Sequence, residues 1–414
     1  MRAATAKLAA IAIVSTWLSA GPAAAADPSK YPPPNNNCRN TGSFERWLAE
    51  FRQEAAANGA SRATIAAALD GMTMDPGIIA RDRRQGFFAQ SFTAFATKLL
   101  PQNRIQNGTA RLKRHADLFA RVEKEYGVPG PVIAAFWALE SDFGAFMGEL
   151  PVLRSLATLA YDCRRPQMFR DELMDALRIV DRGDLRPEEM KGSWAGELGQ
   201  TQFLPSHYLK HAVDFDGDGR RNLMRSVPDV IASSANFLVF LGWQRGQPWL
   251  QEVRAPANMA WDQADLAIQH PRSKWVQWGV ASLDGKPLPA DDMPASLVLP
   301  MGRYGPAFLA YPNFHIFIKW NQSLNYCLTA AHLATRLAGA PPFRRPTVEM
   351  PEWSQEQAKE LQQLLARRGF EVGEIDGKFG AGTRAAVKAA QMKYGLPADS
   401  YPTGNLVERL RGQR

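Results

Sequence analysis

From Phe44 onward the apolar residues recur three and four positions apart, as in Phe44, Trp47, Leu48 and Phe51, the spacing of one buried helical face. The same period predicts helices over 110–126, 131–140, 167–180, 227–241 and 314–337. Strand-like alternation is sparse and sits mainly in 250–299, where Trp261, Trp275 and Trp278 are interspersed with Pro and Gly. The main domain, 44–338, therefore reads as mainly α with a small irregular or β insert. At 339–352 the run Ala340-Pro341-Pro342-Phe343-Arg344-Arg345-Pro346 cannot continue a helix and reads as a linker. A separate three-helix module follows over 353–414. Leu361, Leu364 and Leu365 share one face of its first helix, Val387 and Ala390 lie in the second, and 406–410 forms the third. Asp376-Gly377 and Asp399-Ser400 precede turns, with Thr383 and Thr403 as caps of the helices after them.

The N-terminal end sets the compartment. Arg2 and Lys7 make a basic start, 8–18 is an apolar run too short to span a bilayer, and Ala24-Ala25-Ala26 offers a cleavage site before Asp27. Residues 1–26 thus read as a secretory signal peptide, which places the mature protein in the periplasm. Cys38 lies too far beyond that site for lipid attachment. Residues 27–43, with Pro32 to Pro34 and Asn35 to Asn37, predict an extended, poorly packed lead-in. With 45% hydrophobic and 22% charged residues the chain is an ordinary globular protein, and its scattered net charge of +8 suits weak attraction to an acidic polymer without naming one. The three cysteines match no metal spacing. Cys38 and Cys163 are the expected disulfide, because Cys327 falls in an apolar helical stretch and packs as a small hydrophobe.

Candidate chemistry begins at 128–144. Prolines open a helix, eight of the nine residues from Val132 to Glu140 are apolar, and a carboxylate then appears where the helix ends at Gly144. Desolvation by such surroundings raises a carboxyl pKa and keeps the group protonated, as a general acid requires. A Glu at the rim of a buried helix, paired with an Arg, is the plainer reading. The second constellation is 191–206, where three glycines let backbone approach a ligand and Ser193, Thr201 and Gln202 supply directional hydrogen bonds. Trp194 and Phe203 offer flat apolar faces, although a purely structural loop accounts for the same residues.

Ala138-Leu139-Glu140-Ser141-Asp142-Phe143-Gly144, together with Gly196-Glu197-Leu198-Gly199-Gln200-Thr201-Gln202-Phe203-Leu204-Pro205-Ser206, resembles the signature of the membrane-bound lytic murein transglycosylase B family. Tyr311-Pro312-Asn313-Phe314 and Lys319-Trp320-Asn321-Gln322-Ser323 resemble that family's downstream motif. The resemblance implies a lysozyme-like catalytic domain, Glu140 as sole catalytic carboxylate, and Ser193, Gln202, Tyr311 and Asn321 along the sugar cleft. It also implies cleavage of peptidoglycan without water: Glu140 protonates the oxygen between N-acetylmuramic acid and N-acetylglucosamine, then deprotonates the C6 hydroxyl to give a 1,6-anhydromuramoyl end. No second carboxylate has a comparable setting. Asp142 points off the Glu140 face, and Glu197 sits in the loop without apolar surroundings. Two rivals stay open, a water-using muramidase and a non-catalytic wall-binding protein.

Asp214-Phe215-Asp216-Gly217-Asp218-Gly219-Arg220 matches the opening of an EF-hand, with the Arg220 backbone carbonyl at position seven. Position twelve is Arg225 instead of Glu, and Asp229 offers to close a longer loop. Members of the resembled family carry such an enlarged calcium loop, which favours Asp229, although a solvated turn accounts for the run as well. Any Ca²⁺ there is expected to be structural, and no cofactor is expected for catalysis. His207 and His211 lack an HExxH context and read as exposed helix residues; neither a nucleophile elbow nor a P-loop is present. In the last module, Leu361-Gln362, 373–380, 383–387 and Gln391 with Gly395-Leu396 resemble the peptidoglycan-binding domain type 1, with Ala390 where that family usually has Phe. The expected partners are peptidoglycan glycan strands and cell-wall synthesis or division proteins. Nothing points to nucleic acid or a membrane span.

Overall fold

The computed structural model describes residues 31–83, 90–346, 348 and 353–412, so the expected signal peptide lies outside the described residues. Helices dominate, and the chain divides into two compact units, one of residues 1–85 and 137–230, the other of 86–136 and 231–414. Among the described residues no helix is long and apolar enough to cross a membrane.

In the first unit the helices Val152–Tyr161 and Pro166–Asp181 pack on each other, burying Leu156, Leu159, Leu173 and Leu177. Phe44–Ala57 starts at Ser43, whose hydroxyl accepts the Arg46 N–H and supplies the usual cap. The lead-in before it is more firmly held than expected. Cys38 is bonded to Cys163. Asn40 Oδ1 accepts the Cys163 N–H at 2.8 Å, the Asn35 N–H donates to the Arg164 carbonyl at 3.0 Å, and the Tyr31 hydroxyl donates to Asp171 at 2.7 Å. Pro and Asn keep this stretch out of a helix, yet its amides find partners on a neighbouring surface. Two short strands, β1 (Leu150–Pro151) and β2 (Lys191–Gly192), pair antiparallel with Leu150 opposite Gly192.

The second unit contains the insert, which is more regular than its sequence suggests. Strands β3 (Leu250–Arg254), β4 (His270–Pro271), β5 (Ala281–Ser282), β6 (Pro294–Val298) and β7 (Ala307–Ala310) form an antiparallel sheet in the order β4-β6-β7-β3-β5. Leu250 pairs with Ala310 and Leu297 with Leu309. Residues 295–298 and 307–310 are buried throughout, so their side chains face cover on both sides and show no alternation. Trp261, Trp275 and Leu309 form the core on one face, while Phe308 meets Phe92 edge-on at 5.7 Å.

The C-terminal helices Gln355–Arg367, Ala381–Lys393 and Gly404–Arg411 enclose their own core, with Leu361, Leu365, Val387, Ala390 and Leu406 buried. Phe370, Phe379 and Tyr394 pack against this core. Buried Gln362 ties one loop, donating to Thr383 Oγ1 and the Lys378 carbonyl and accepting the Gly377 N–H at 2.7 Å. This module is docked on the insert: Lys388 pairs with Asp265 at 3.0 Å, Arg303 with Asp399 at 3.1 Å, and Arg384 donates to the Leu299 carbonyl at 2.7 Å.

Candidate active site

Glu140 lies in the last turn of the helix Gly130–Ser141, whose residues 132–139 are all buried, and is itself half-buried. The chain leaves that helix through Asp142 (φ +50°), Phe143 (φ +62°) and Gly144 (φ +85°). Left-handed backbone at two consecutive non-glycine residues is costly and persists only where the surroundings enforce it. Here the Phe143 N–H donates to the Trp137 carbonyl and the Phe146 N–H to the Ser141 carbonyl, and the Phe143 ring meets Trp137 edge-on. Among the described residues only four non-glycines have such a φ. A third, Gln202 (φ +51°), lies on the loop bonded to this helix, and the fourth is Ser400.

That loop, 191–204, is closed by reciprocal backbone bonds between Leu198 and Phe203 at 2.9 Å. Ser193 caps its first turn, accepting the Ala195 and Glu197 N–H groups and donating to Glu197 Oε2 at 3.1 Å. A side chain at Gly192 would place Cβ 1.9 Å from the Glu197 carbonyl oxygen, so only glycine fits there. Gln202 Nε2 donates to the Met147 carbonyl at 3.1 Å and the Gly199 carbonyl at 2.8 Å. Gln200 receives Trp137 Nε1–H at 2.8 Å on its side chain and the Ser141 hydroxyl on its carbonyl. The loop carrying Ser193 and Gln202 is thereby bonded to the Glu140 helix on both sides of Glu140. Trp137, Ser141 and Gln200 had no place among the sequence candidates.

Several sequence readings are corrected. Glu197 is buried, with its carboxylate on the Ser193 hydroxyl. Trp194 and Phe203 are buried too, and their rings serve the core. His207 and His211 are buried because the helix Pro205–His211 lies against Pro166–Asp181. Desolvation lowers their pKa values to about 3 and about 4, so both rings are neutral.

Glu172, also without a sequence signal, holds the start of that short helix. It is 2% exposed and accepts the Ser206 N–H at 2.9 Å and hydroxyl at 2.7 Å. Burial raises its pKa to about 7, against the opposing pull of the Ser206 bonds. A raised acid pKa favours the protonated folded form, so the contribution of Glu172 to stability is full below pH 4.5 and lost as pH climbs through about 7. Glu172→Gln is expected to gain about 3 kcal/mol on the wild type across that interval. Urea unfolding at a series of pH values measures it, and parallel curves would count against this account.

In the second unit Tyr311 is buried beside β3, its hydroxyl donating to Gln251 Oε1 at 2.7 Å, and burial pushes its phenol pKa up. Asn321 ends the helix Phe314–Trp320 half-buried, its Oδ1 accepting the Ser323 N–H at 2.9 Å.

The acidic loop brings together Asp214, Asp216 and Asp229, with one oxygen of each within 4.8 Å of the others. Asp218 stays outside this trio and accepts the Arg220 N–H, while the Arg220 guanidinium turns to the Asp184 carbonyl and Glu189. Asp229 accepts the Phe215 and Asn222 N–H groups, and burial, with the Asp216 charge adding to it, raises its carboxyl pKa. Three converging hard oxygens, one on a fully buried residue, fit a divalent cation of the calcium class.

A family model described as Transglycosylase SLT domain matches residues 43–335, and a peptidoglycan binding domain model matches 354–410. Membrane-bound lytic murein transglycosylase B of Escherichia coli (strain K12) is 32% identical over 248 residues, covering 59% of this chain and 66% of that protein. The chain thus spans just under two thirds of that relative's length. SltB3 from Pseudomonas aeruginosa, solved in complex with NAG-anhNAM-pentapeptide, superposes with a TM-score of 0.84 at 42% identity, covering 90% of this chain and all of that one. The Escherichia coli lytic transglycosylase Slt35, solved in complex with calcium, gives a TM-score of 0.61 at 26% identity, covering 70% of this chain and 92% of that one.

Proposed function

Because the chain belongs to the transglycosylase SLT domain family, we propose that it cleaves the β-1,4 bond between N-acetylmuramic acid and N-acetylglucosamine without water, with Glu140 as acid and then base. It is a lytic murein transglycosylase, an enzyme of peptidoglycan. The observation that carries the role of Glu140 is its half-buried position at the end of an apolar helix, in a turn enforced by left-handed residues. Its carboxyl proton passes to the bridging oxygen as the C1–O bond breaks, and the substrate's acetamide supports the positive charge. The carboxylate then takes the proton of the C6 hydroxyl, whose oxygen closes on C1. The glutamate is restored and no water enters. Ser193, Gln202, Tyr311 and Asn321 are the residues assigned to the sugars. Glu197, the buried carboxylate of the loop, is engaged by Ser193 and has no part in proton transfer.

Digestion of purified sacculi tests this reading. Anhydro-ended muropeptides, lighter by one water than hydrolysis products, are expected; reducing ends would mark a hydrolase, and intact glycan a binding protein. The C-terminal module raises the local concentration of the same polymer. Secretion to the periplasm would give the oxidising surroundings in which Cys38 and Cys163 pair.

For the acidic loop the proposal is a structural Ca²⁺ held by Asp214, Asp216 and Asp229. Calcium is expected to stabilise the protein by about 1–3 kcal/mol at saturating concentration, with chelation reversing it. Asp229→Asn should remove the response in a thermal melt, and a variant that keeps it would argue against this ligand set.

A further inference from the structure

We infer that Gln200 is a positioning residue for Glu140, bonding the end of the Glu140 helix to the segment that closes the acidic loop. The inference rests on Glu140 being the acid and base. Gln200 is 7% exposed, and its polar groups are committed in four directions. Its Oε1 accepts Trp137 Nε1–H at 2.8 Å, and its backbone carbonyl accepts the Ser141 hydroxyl. On the other side its Nε2 donates to the Met224 carbonyl at 3.1 Å and its backbone N–H to the Leu223 carbonyl at 2.9 Å. Trp137 and Ser141 lie three residues before Glu140 and one after it, so these bonds fix the last turn of its helix.

Leu223 and Met224 are in turn organised by the acidic loop. The N–H of the residue before them, Asn222, donates to Asp229 Oδ2 at 2.7 Å, and Asn222 Oδ1 accepts the Met224 N–H at 3.2 Å. A continuous path of hydrogen bonds therefore runs from Asp229 through Asn222 and Leu223-Met224 to Gln200, and from Gln200 to both flanks of Glu140. The path needs an amide at its centre: one face must accept from an indole while the other donates to a carbonyl. It also needs Gly144, where an added Cβ would lie 2.5 Å from Gln200 Oε1. Buried and bonded on both sides, the Gln200 amide acts on the reaction only through the placement of Glu140, and a disturbance at Asp229 reaches Glu140 through it.

Turnover of soluble glycan strands by Gln200→Met, Gln200→Glu, Asp229→Asn, Gln200→Met/Asp229→Asn and the control Glu140→Gln tests this. Gln200→Met fills the volume without either hydrogen bond and is expected to lose roughly ten- to a hundredfold in kcat, with KM within about twofold. Gln200→Glu is the second variant should Gln200→Met fail to fold. Its protonated carboxyl accepts and donates as the amide does, so kcat approaches the wild-type value at acid pH and falls as the group ionises, a limb absent from the wild-type profile. Asp229→Asn is expected to slow the wild type yet add nothing in the Gln200→Met background. A wild-type kcat in Gln200→Met, a loss confined to KM, a Gln200→Glu profile parallel to the wild type, or losses at 200 and 229 that multiply would each overturn the inference. Activity retained by Glu140→Gln would instead remove the reading on which it rests.

Discussion

Sacculi treated with the Glu140→Gln protein are expected to remain intact, with turnover reduced by about a thousandfold or more while binding to the wall persists. General acid–base catalysis by one positioned side chain is typically worth about 10²–10⁴-fold. In this mechanism the same carboxyl serves both proton transfers, so its loss stops departure of the leaving sugar and closure of the anhydro ring together. Gln has the same shape and keeps the half-buried position filled, which confines the change to proton transfer. The helix around it is held by Trp137 and Ser141, which the substitution leaves in place. The release of muropeptides measured by chromatography should therefore collapse, whereas pull-down on sacculi, which the C-terminal module supports, should not. Residual release of anhydro products near the wild-type rate would show that another group moves the protons. Loss of both release and binding would point to a folding defect, which the thermal unfolding midpoint identifies.

What made Glu140 legible was contrast, a single carboxylate closing an unbroken apolar helix. Gln200 had no such contrast. It stands among Thr201 and Gln202 in a polar loop, and only the fold shows that its amide faces Trp137 on one side and Met224 on the other. Glu172 was hidden for a related reason: Asp171 and Asp175 flank it on the same helix, and nothing local tells the buried carboxylate from its neighbours. The short helix Pro205–His211 misled because seven residues are too few for a period to reveal which face is inside. In the insert the period itself is absent. Strands β6 and β7 are covered on both faces, so they read as plain apolar runs. In the acidic loop Asp214 and Asp216 converge with Asp229, whereas Asp218, which a standard EF-hand would recruit, accepts the Arg220 N–H. Local motif and local contrast thus carried the catalytic reading. The supporting bonds are long-range and entered only with the fold.

The disulfide supplies the largest expected effect on stability. Cys38 and Cys163 are 125 residues apart, so in the unfolded chain their bond closes a long loop and removes much of its freedom. For a loop of that size the chain-entropy model gives about 4–5 kcal/mol, and measured losses of native disulfides run at about 2–5 kcal/mol. The Cys38→Ser/Cys163→Ser variant should therefore unfold at distinctly lower urea, by an amount in that range. A thiol reductant should lower the wild type to the level of the variant and leave the variant unmoved, because Cys327 is buried and has no part in the cross-link. Folded-state contacts alone would give a smaller difference, since the Asn35, Asn40 and Tyr31 bonds to the first unit do not depend on sulfur. Those contacts also make a separate outcome measurable. If they hold the lead-in once the cross-link is gone, the reduced protein keeps its turnover at temperatures well below its lowered midpoint, since Glu140 and the 191–204 loop have their own hydrogen bonds. Equal urea midpoints for variant and wild type would refute the stabilising role, and loss of turnover in a still-folded variant would show that the lead-in supports the Glu140 region after all.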